Sequence, residues 1–333
     1  VESLFGLEPF LLFFVATALL FDFLNGFNDS ANTVATVISS RAMSPRAALL
    51  LSAVANFAGP FLFGVAVATT IGHEVIAEEA ATMTTVLAAL MGAIVWNLIT
   101  WLLGIPSSSS HALVGGLVGA ATIGHGFYAV LLPGLEKIII ALFVSPIAGM
   151  LGGYFLMKST LFLARGATPR INTFFRRAQV LTATALALSH GTNDAQKTMG
   201  IITMGLLASG VLSQFHVPLW VIVACAGAMA LGTMLGGWRI IHTLGGKFYK
   251  IRPIHGFTSQ IASAGVILTA ALIGGPVSTT HVVSSAILGV GAAERMSKVR
   301  WGIVGHIVTA WLLTIPASGL MAMLSYAVIE RIL

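Results

Sequence analysis

"GFNDSANTVAT", Gly26–Thr36, and "GTNDAQKTMG", Gly191–Gly200, each carry Gly-x-Asn-Asp in the middle of an apolar stretch. Their surroundings decide the fold. The chain has 333 residues, 57% of them hydrophobic and only 8% charged, with a mean hydropathy of +0.95. Soluble domains hold about 45–50% apolar and about 25% charged residues, so this chain lacks the polar surface to face water on all sides. Apolar runs of about 18–25 residues, long enough to cross a bilayer as helix, recur along it. They lack the period-two alternation of a membrane barrel, and helices are the other way to satisfy backbone groups in lipid. The fold class is therefore an all-α, polytopic membrane protein. A single cysteine, Cys225, excludes an intrachain disulfide framework and argues against a thiolate metal cluster. The first residues, with Glu2 and Glu8, lack the basic region of a secretory signal and read as mature protein.

The net charge of +6 does not indicate a nucleic-acid partner, because the basic residues sit in short segments between apolar runs. These are Arg41 and Arg46; Arg165, Arg170, Arg176 and Arg177; Arg239, Lys247, Lys250 and Arg252; and Arg295, Lys298 and Arg300. Acidic residues fall mostly elsewhere: Glu2 and Glu8, Glu74, Glu78 and Glu79, Glu136 and Glu330. The positive-inside rule assigns the first set to the cytoplasm and the second to the outside, which places both chain ends outside a multi-pass protein of the cell membrane. Threaded through these anchors, 8–40 runs inward and 47–71 outward; 83–126 starts and finishes outside; 135–163 runs inward. Then 178–211 runs outward and 217–243 inward; 257–293 starts and finishes inside; 301–329 runs outward.

The second four segments thus repeat the first four upside down. Asn28-Asp29 matches Asn193-Asp194 at an offset of 165, while "PSSSSH" (106–111) matches "PVSTTH" (276–281) at 170. "SPIAGM" (145–150) matches "IPASGL" (315–320) at the same offset of 170. The expected organisation is a first inverted repeat at 1–164, a basic cytoplasmic linker at 165–177 and a second inverted repeat at 178–333. Phe174 and Phe175, beside arginines in that linker, suit either a segment lying on the membrane surface or a solvated loop. Two inverted-topology repeats, with broken helices or re-entrant hairpins meeting at the bilayer midplane, are the architecture of secondary transporters.

Asp29 and Asp194 fall inside the membrane on this path, where an ionised carboxylate costs a few kcal/mol and marks a functional site. Gly26 and Gly191 suggest unwound backbone, whose carbonyls beside Asp and Asn would cage a hard cation or hold a proton. Asp22, two turns ahead of Asp29, is a candidate to join the cluster, although the second half has Ala187 there. In "GIPSSSSHAL" and "GGPVSTTHVV", Gly and Pro end one helix and hydroxyl residues cap the next. Helix N-termini at that depth aim free N–H groups and the positive dipole end at an anion, and Ser108–Ser110 and Ser278–Thr280 add hydroxyl donors. Capping alone would explain one run; the matched pair points to an anion site. Lys197 stands in the place of Asn32 and either offsets Asp194 or holds the anion. His111, His281 and His190 read as hydrogen-bonding helix residues rather than metal ligands, and the remaining histidines show no ligand spacing such as H-E-x-x-H.

These motifs resemble the inorganic phosphate transporter (PiT) family, whose signature copies read roughly Gly-Ala-Asn-Asp-x-x-Asn-Ala; here they are Gly26–Thr33 and Gly191–Thr198. "AWLLTIPAS" (310–318) extends the likeness over nearly the whole chain, and "NGFNDSANTVATVISSRAM" with "SHGTNDAQKTMG" is most similar to bacterial low-affinity members. The resemblance implies no enzyme but a symporter of inorganic phosphate working by alternating access, with sodium or protons as driving ion and no other cofactor. It implies phosphate binding by Asn28, Ser108, Ser109, Ser110, Asn193, Lys197, Ser278, Thr279 and Thr280, and a coupling ion at Asp29, Asn32 and Asp194. Sodium at the Asp29/Asp194 sites is the one metal it suggests. Whether phosphate travels free or as a metal complex is left open, and a homodimer in membrane lipid is implied by similarity alone. Gln196-Lys197 departs from the consensus and puts a symmetric pair of cation sites in question. Sulfate, another tetrahedral oxyanion, is the alternative substrate. A passive anion channel would need a continuous pore, and carboxylates beside an anion site point instead to ion coupling. An intramembrane hydrolase is the more distant rival: hydroxyls and carboxylates come in inverted pairs, whereas catalysis needs one asymmetric triad, and no G-x-S-x-G elbow occurs.

Overall fold

The computed structural model describes residues 8–332, so the expectation for the start of the chain at Glu2 lies outside the described residues. Twelve α-helices carry the described part: α1 Pro9–Ser39, α2 Pro45–Phe63, α3 Ala66–His73, α4 Met83–Leu103, α5 Ser109–His125, α6 Leu132–Leu163, α7 Ile171–Ala208, α8 Leu219–Leu235, α9 Trp238–His242, α10 Pro253–Leu272, α11 Thr279–Glu294 and α12 Trp301–Ile332. Five are long and apolar enough to cross a membrane, and α8 with its bent continuation makes a sixth. The protein is nearly all helix, as its composition requires. Outward-facing Leu, Ile, Val and Phe side chains cover much of the surface, which is stable only where lipid is the solvent.

Helix ends follow local chemistry. Pro45 stands at the first position of α2 behind Ser44, whose hydroxyl accepts from Ala47 N. Thr82 caps α4 in the same way through Thr85 N. At its other end α4 stops on Gly104 at φ 65°, and α10 is followed by Gly274 at φ 72°, a conformation that favours glycine. Pro106 and Pro276 then hold short non-helical segments before α5 and α11 begin. Two expected spans are interrupted. The 47–71 path is split between α2 and α3 at Gly64, and the 217–243 path bends by 61° after α8.

The two halves pair their elements alike. α1 packs on α8 as α7 packs on α2, and α5 lies on α12 as α11 lies on α6. Pro146 in α6 and Pro316 in α12 occupy matching places. α1 and α7 cross at the centre in antiparallel sense: Phe14 reaches Gly205 near one end, and Ser40 donates to Gln179 Oε1 at 2.8 Å near the other.

Two expectations change here. The basic linker is shorter than 165–177, because Ile171 opens α7 and Phe175 buries against Phe257. Nor is the backbone unwound at Gly26 or Gly191: α1 and α7 run through both motifs as continuous helix. The glycines serve close packing instead, since a Cβ on Gly26 would strike the Met229 carbonyl and one on Gly191 the Asn56 carbonyl.

Candidate functional site

Helical spacing places Asp22, Asn25, Asp29, Asn32 and Thr36 along one buried face of α1. On α7, His190, Asn193, Asp194, Lys197 and Thr198 are buried to the same degree. These faces meet, and the first turns of α5 and α11 close over them.

The contacts repeat between halves. Ser109 Oγ donates to Asp29 Oδ2 at 3.5 Å, and Thr279 Oγ1 donates to Asp194 Oδ2 at 2.7 Å. Asn32 Nδ2 donates to Thr280 Oγ1 at 3.0 Å, and Lys197 Nζ donates to Ser110 Oγ at 2.5 Å. Thr280 Oγ1 also donates to Asp29 Oδ1 at 2.9 Å, so α11 clamps the first-half carboxylate as well as its own. Asn28 Nδ2 reaches Asn97 O at 3.4 Å, and Asn193 Nδ2 reaches Gly275 O at 3.2 Å. Ser108 and Ser278 accept from the backbone N–H of His111 and His281, so their hydroxyls act as N-caps.

The symmetry breaks at Lys197. Its ammonium pairs with Asp194 Oδ1 and donates to Val277 O at 3.0 Å, while the side chain is 1% exposed. Lys197 thus offsets Asp194, one of the two roles the sequence left open, and its ammonium also reaches the hydroxyl run at Ser110. Its counterpart Asn32 is neutral and leaves its Oδ1 without a protein partner, as do Asn28 and Asn193.

His190 was undervalued by the sequence reading. Its Nε2 lies 3.0 Å from Asp194 Oδ2 and 4.0 Å from Asp29 Oδ2, without alignment for a hydrogen bond. Asn56 Oδ1 lies 3.2 Å from its Nδ1, and Asn56 Nδ2 donates to Thr233 Oγ1 at 2.9 Å. Asn56 and Thr233 carry no sequence signal; the packing of α2 and α8 alone brings them in. One ligand atom each from Asp29, His190 and Asp194 falls within 4.8 Å of the others. A hard cation takes oxygen ligands, and the Asp29 side offers its carboxylate with no ammonium paired to it. Such a cation fits the Asp194 side poorly, because the ammonium of Lys197 already stands there. The His111 and His281 rings meet at a tilt of 43° with centroids 4.5 Å apart, and His281 stacks on Trp311 at 3.8 Å. They pack between hairpins and are absent from the ligand group. Asp22 is buried on the same face as Asp29 but makes no hydrogen bond within the cluster.

Spanning helices, two broken hairpins and a charged cluster at their meeting point define a multi-pass membrane transporter. The model of the "Phosphate transporter family" matches residues 25–322. The chain is 47% identical over 320 residues to a "Probable low-affinity inorganic phosphate transporter" of Rhizobium meliloti (strain 1021), covering 96% of each chain. It is 45% identical over 324 residues to the protein of the same name in Bacillus subtilis (strain 168), again covering 96% of each. Among solved structures, "The sodium-dependent phosphate transporter" superposes with a TM-score of 0.88 at 25% identity, over 98% of this chain and 100% of that one. The chain belongs to the phosphate transporter family. Its relatives are named as transporters and not as enzymes, which removes the hydrolase reading.

Proposed function

We propose that the protein is an ion-coupled symporter of inorganic phosphate across the cell membrane, working by alternating access between two inverted repeats. One observation carries the reading. The hydroxyls that open α5 and α11 are spent on the carboxylates of Asp29 and Asp194. Helix N-termini bind anions, and here two of the protein's own carboxylates occupy that role. Phosphate and ionised carboxylates compete for the same donors, and their like charges repel. A cation on Asp29, either sodium or a proton, would release Ser109 and Thr280 to the incoming phosphate. Phosphate and cation then move together, because each alone leaves uncompensated charge in a dry site.

Lys197 is on this reading a tethered cation, doing at Asp194 permanently what a mobile ion does at Asp29. The matched helix pairs and the Pro146/Pro316 correspondence support the repeat at 1–164 and 178–333, joined by the basic turn after α6. The one-sided distribution of basic residues supports cytoplasmic loops at Arg41–Arg46 and Lys247–Arg252 with both ends outside. The substrate set is Asn28, Ser109, Ser110, Asn193, Lys197, Thr279 and Thr280, with Ser108 and Ser278 positioning the two helix ends; the cation set is Asp29 and Asn32. Phosphate is preferred to sulfate because it keeps a proton at neutral pH that a carboxylate can accept. Uptake of labelled phosphate by proteoliposomes, with sodium and proton gradients imposed separately, tests the reading. Accumulation under one gradient supports it, and equilibration without accumulation under either would show a passive pathway.

A further inference from the structure

The coupling scheme above leaves Asp22 unused. Its side chain is 0% exposed, and neither carboxylate oxygen receives a well-formed hydrogen bond, the Thr198 hydroxyl interacting with it only weakly. Asn25, one turn along the same face and 1% exposed, has both Oδ1 and Nδ2 unpartnered, and Thr198 Oγ1 likewise lacks a well-formed hydrogen bond. Thr198 of α7 is the side chain that approaches the Asp22 carboxyl. Three side chains from two helices thus bring five polar atoms without a well-formed hydrogen bond to one dry place. Buried polar groups are normally paired, so this grouping points to a ligand.

The charges around it are few. Asp194 and Lys197 face Asp22 from α7, and the Cys225 thiol faces it from α8. α4 carries no titratable side chain, and α2 only Arg46 in its first turn, beside the far end of α1. Gly237 ahead of α9, Gln260 of α10 and Thr280 of α11 hydrogen-bond to α1 at Ser30, Thr36, Asp29 and Asn32, about two turns or more beyond Asp22. Lys197 is committed to Asp194, leaving no protein cation for Asp22.

A metal ion is the weaker occupant. Hard cations such as calcium or magnesium gather about six or more oxygens, and this place offers four, all from side chains. Backbone carbonyls are not free to add to them, because α1 and α7 are continuous helix here. A proton needs a single carboxylate oxygen. We propose that Asp22, flanked by Asn25 and Thr198, is a proton-loading site separate from the Asp29–Asp194 cluster. The carboxylate takes a proton from water when its side of the cluster opens. It crosses neutral through the closed conformation and returns the proton to water on the other side. No bond between heavy atoms changes. This rests on the reading that the cluster carries phosphate, since the proton is moved for the sake of that substrate.

The test uses the full chain in proteoliposomes and in detergent. Under an imposed gradient of one pH unit, each coupled proton multiplies phosphate accumulation by about ten. Asp22→Asn, or Asp22→Ser should Asn not be accepted by the fold, is expected to accumulate about tenfold less phosphate, while Asp22→Glu keeps the wild-type ratio. Infrared spectra of the wild type at neutral pH are expected to contain a protonated-carboxyl band that the neutral variants lack. An unchanged accumulation ratio in the neutral variants, or an unchanged band, overturns the proposal. So does a loss confined to sodium-driven accumulation, which would assign the place to sodium. If the wild type moves no phosphate, the transport reading fails, and the band still decides whether Asp22 holds the proton.

Discussion

Replacing Lys197 with methionine keeps the side chain's length and removes its charge at the centre of the molecule. In the native structure that ammonium pairs with Asp194, donates to Ser110 Oγ at 2.5 Å and to Val277 O at 3.0 Å, and is 1% exposed. Breaking a buried pair from one side costs about 3–5 kcal/mol, because the remaining charge stays buried. Two hydrogen bonds lost from a charged donor, at about 1.5–3 kcal/mol each, give a similar figure. His190 still lies 3.0 Å from Asp194, which places the expected loss near the lower end, about 3 kcal/mol. That lowers the ratio of folded to unfolded protein more than a hundredfold. Adding Asp194→Asn removes the stranded charge, so the double variant should recover about 2 kcal/mol, within the range of measured couplings. Equilibrium unfolding in mixed micelles of wild type, both single variants and the double variant measures this cycle. A Lys197→Met protein as stable as wild type, or a double variant no better than the single one, would refute the idea that Lys197 is there to neutralise Asp194.

Asp29→Asn should abolish coupled uptake while leaving the protein inserted and folded, and Asp194→Asn should do the same by freeing Lys197 to hold phosphate too tightly; wild-type uptake rates in both variants would remove the coupling role. Ser109→Ala with Thr279→Ala should weaken phosphate binding by about 0.5–3 kcal/mol per lost hydrogen bond. In the same titrations arsenate should compete well and sulfate poorly, and tighter binding of sulfate would reassign the substrate. A pH effect is expected at the loop end of α10, ahead of its apolar span. There His255 Nδ1 accepts from Arg252 N at 3.1 Å, and Nε2 lies 2.9 Å from Glu294 Oε2. Burial, with the Arg252 charge adding to it and Glu294 opposing, pushes the His255 imidazole down to about 4 from an ordinary 6.5. The unfolded chain therefore takes up this proton first, so stability present above pH 6.5 declines as the pH falls toward 4, by up to about 3 kcal/mol. His255→Gln should flatten that window in thermal unfolding measured across pH.

Much of the candidate site is legible in the sequence, because its motifs occur twice. Asn28-Asp29 and Asn193-Asp194 announced buried carboxylates, and the matched Pro–hydroxyl–His runs announced two helix starts. The Gly104 and Gly274 turns and the Ser108 and Ser278 caps appear where those runs placed them. Such features are local: a cap, a turn or an apolar run is set by neighbours within a few residues. The glycines were misread for the same reason. A Gly in a polar motif suggests loose backbone when only its neighbours are visible, and it was helix packing against Met229 and Asn56 that required the missing Cβ.

The sequence by itself determined the solvent, the helical class, the pairing of motifs and the types of group at the centre. Free energy of transfer depends on composition and run length, and both are properties of the chain alone. Tertiary structure decided which groups face one another. His190, 161 positions from Asp29, stands between the two carboxylates; Thr280 of one half holds Asp29 of the other; Lys197 chooses Asp194 and Ser110. Asp22 stayed out of the central cluster because it lies two turns from Asp29 on α1, opposite Thr198 rather than the hairpin ends. Charge interactions depend on distances across helices, and those distances exist only once the two halves have packed.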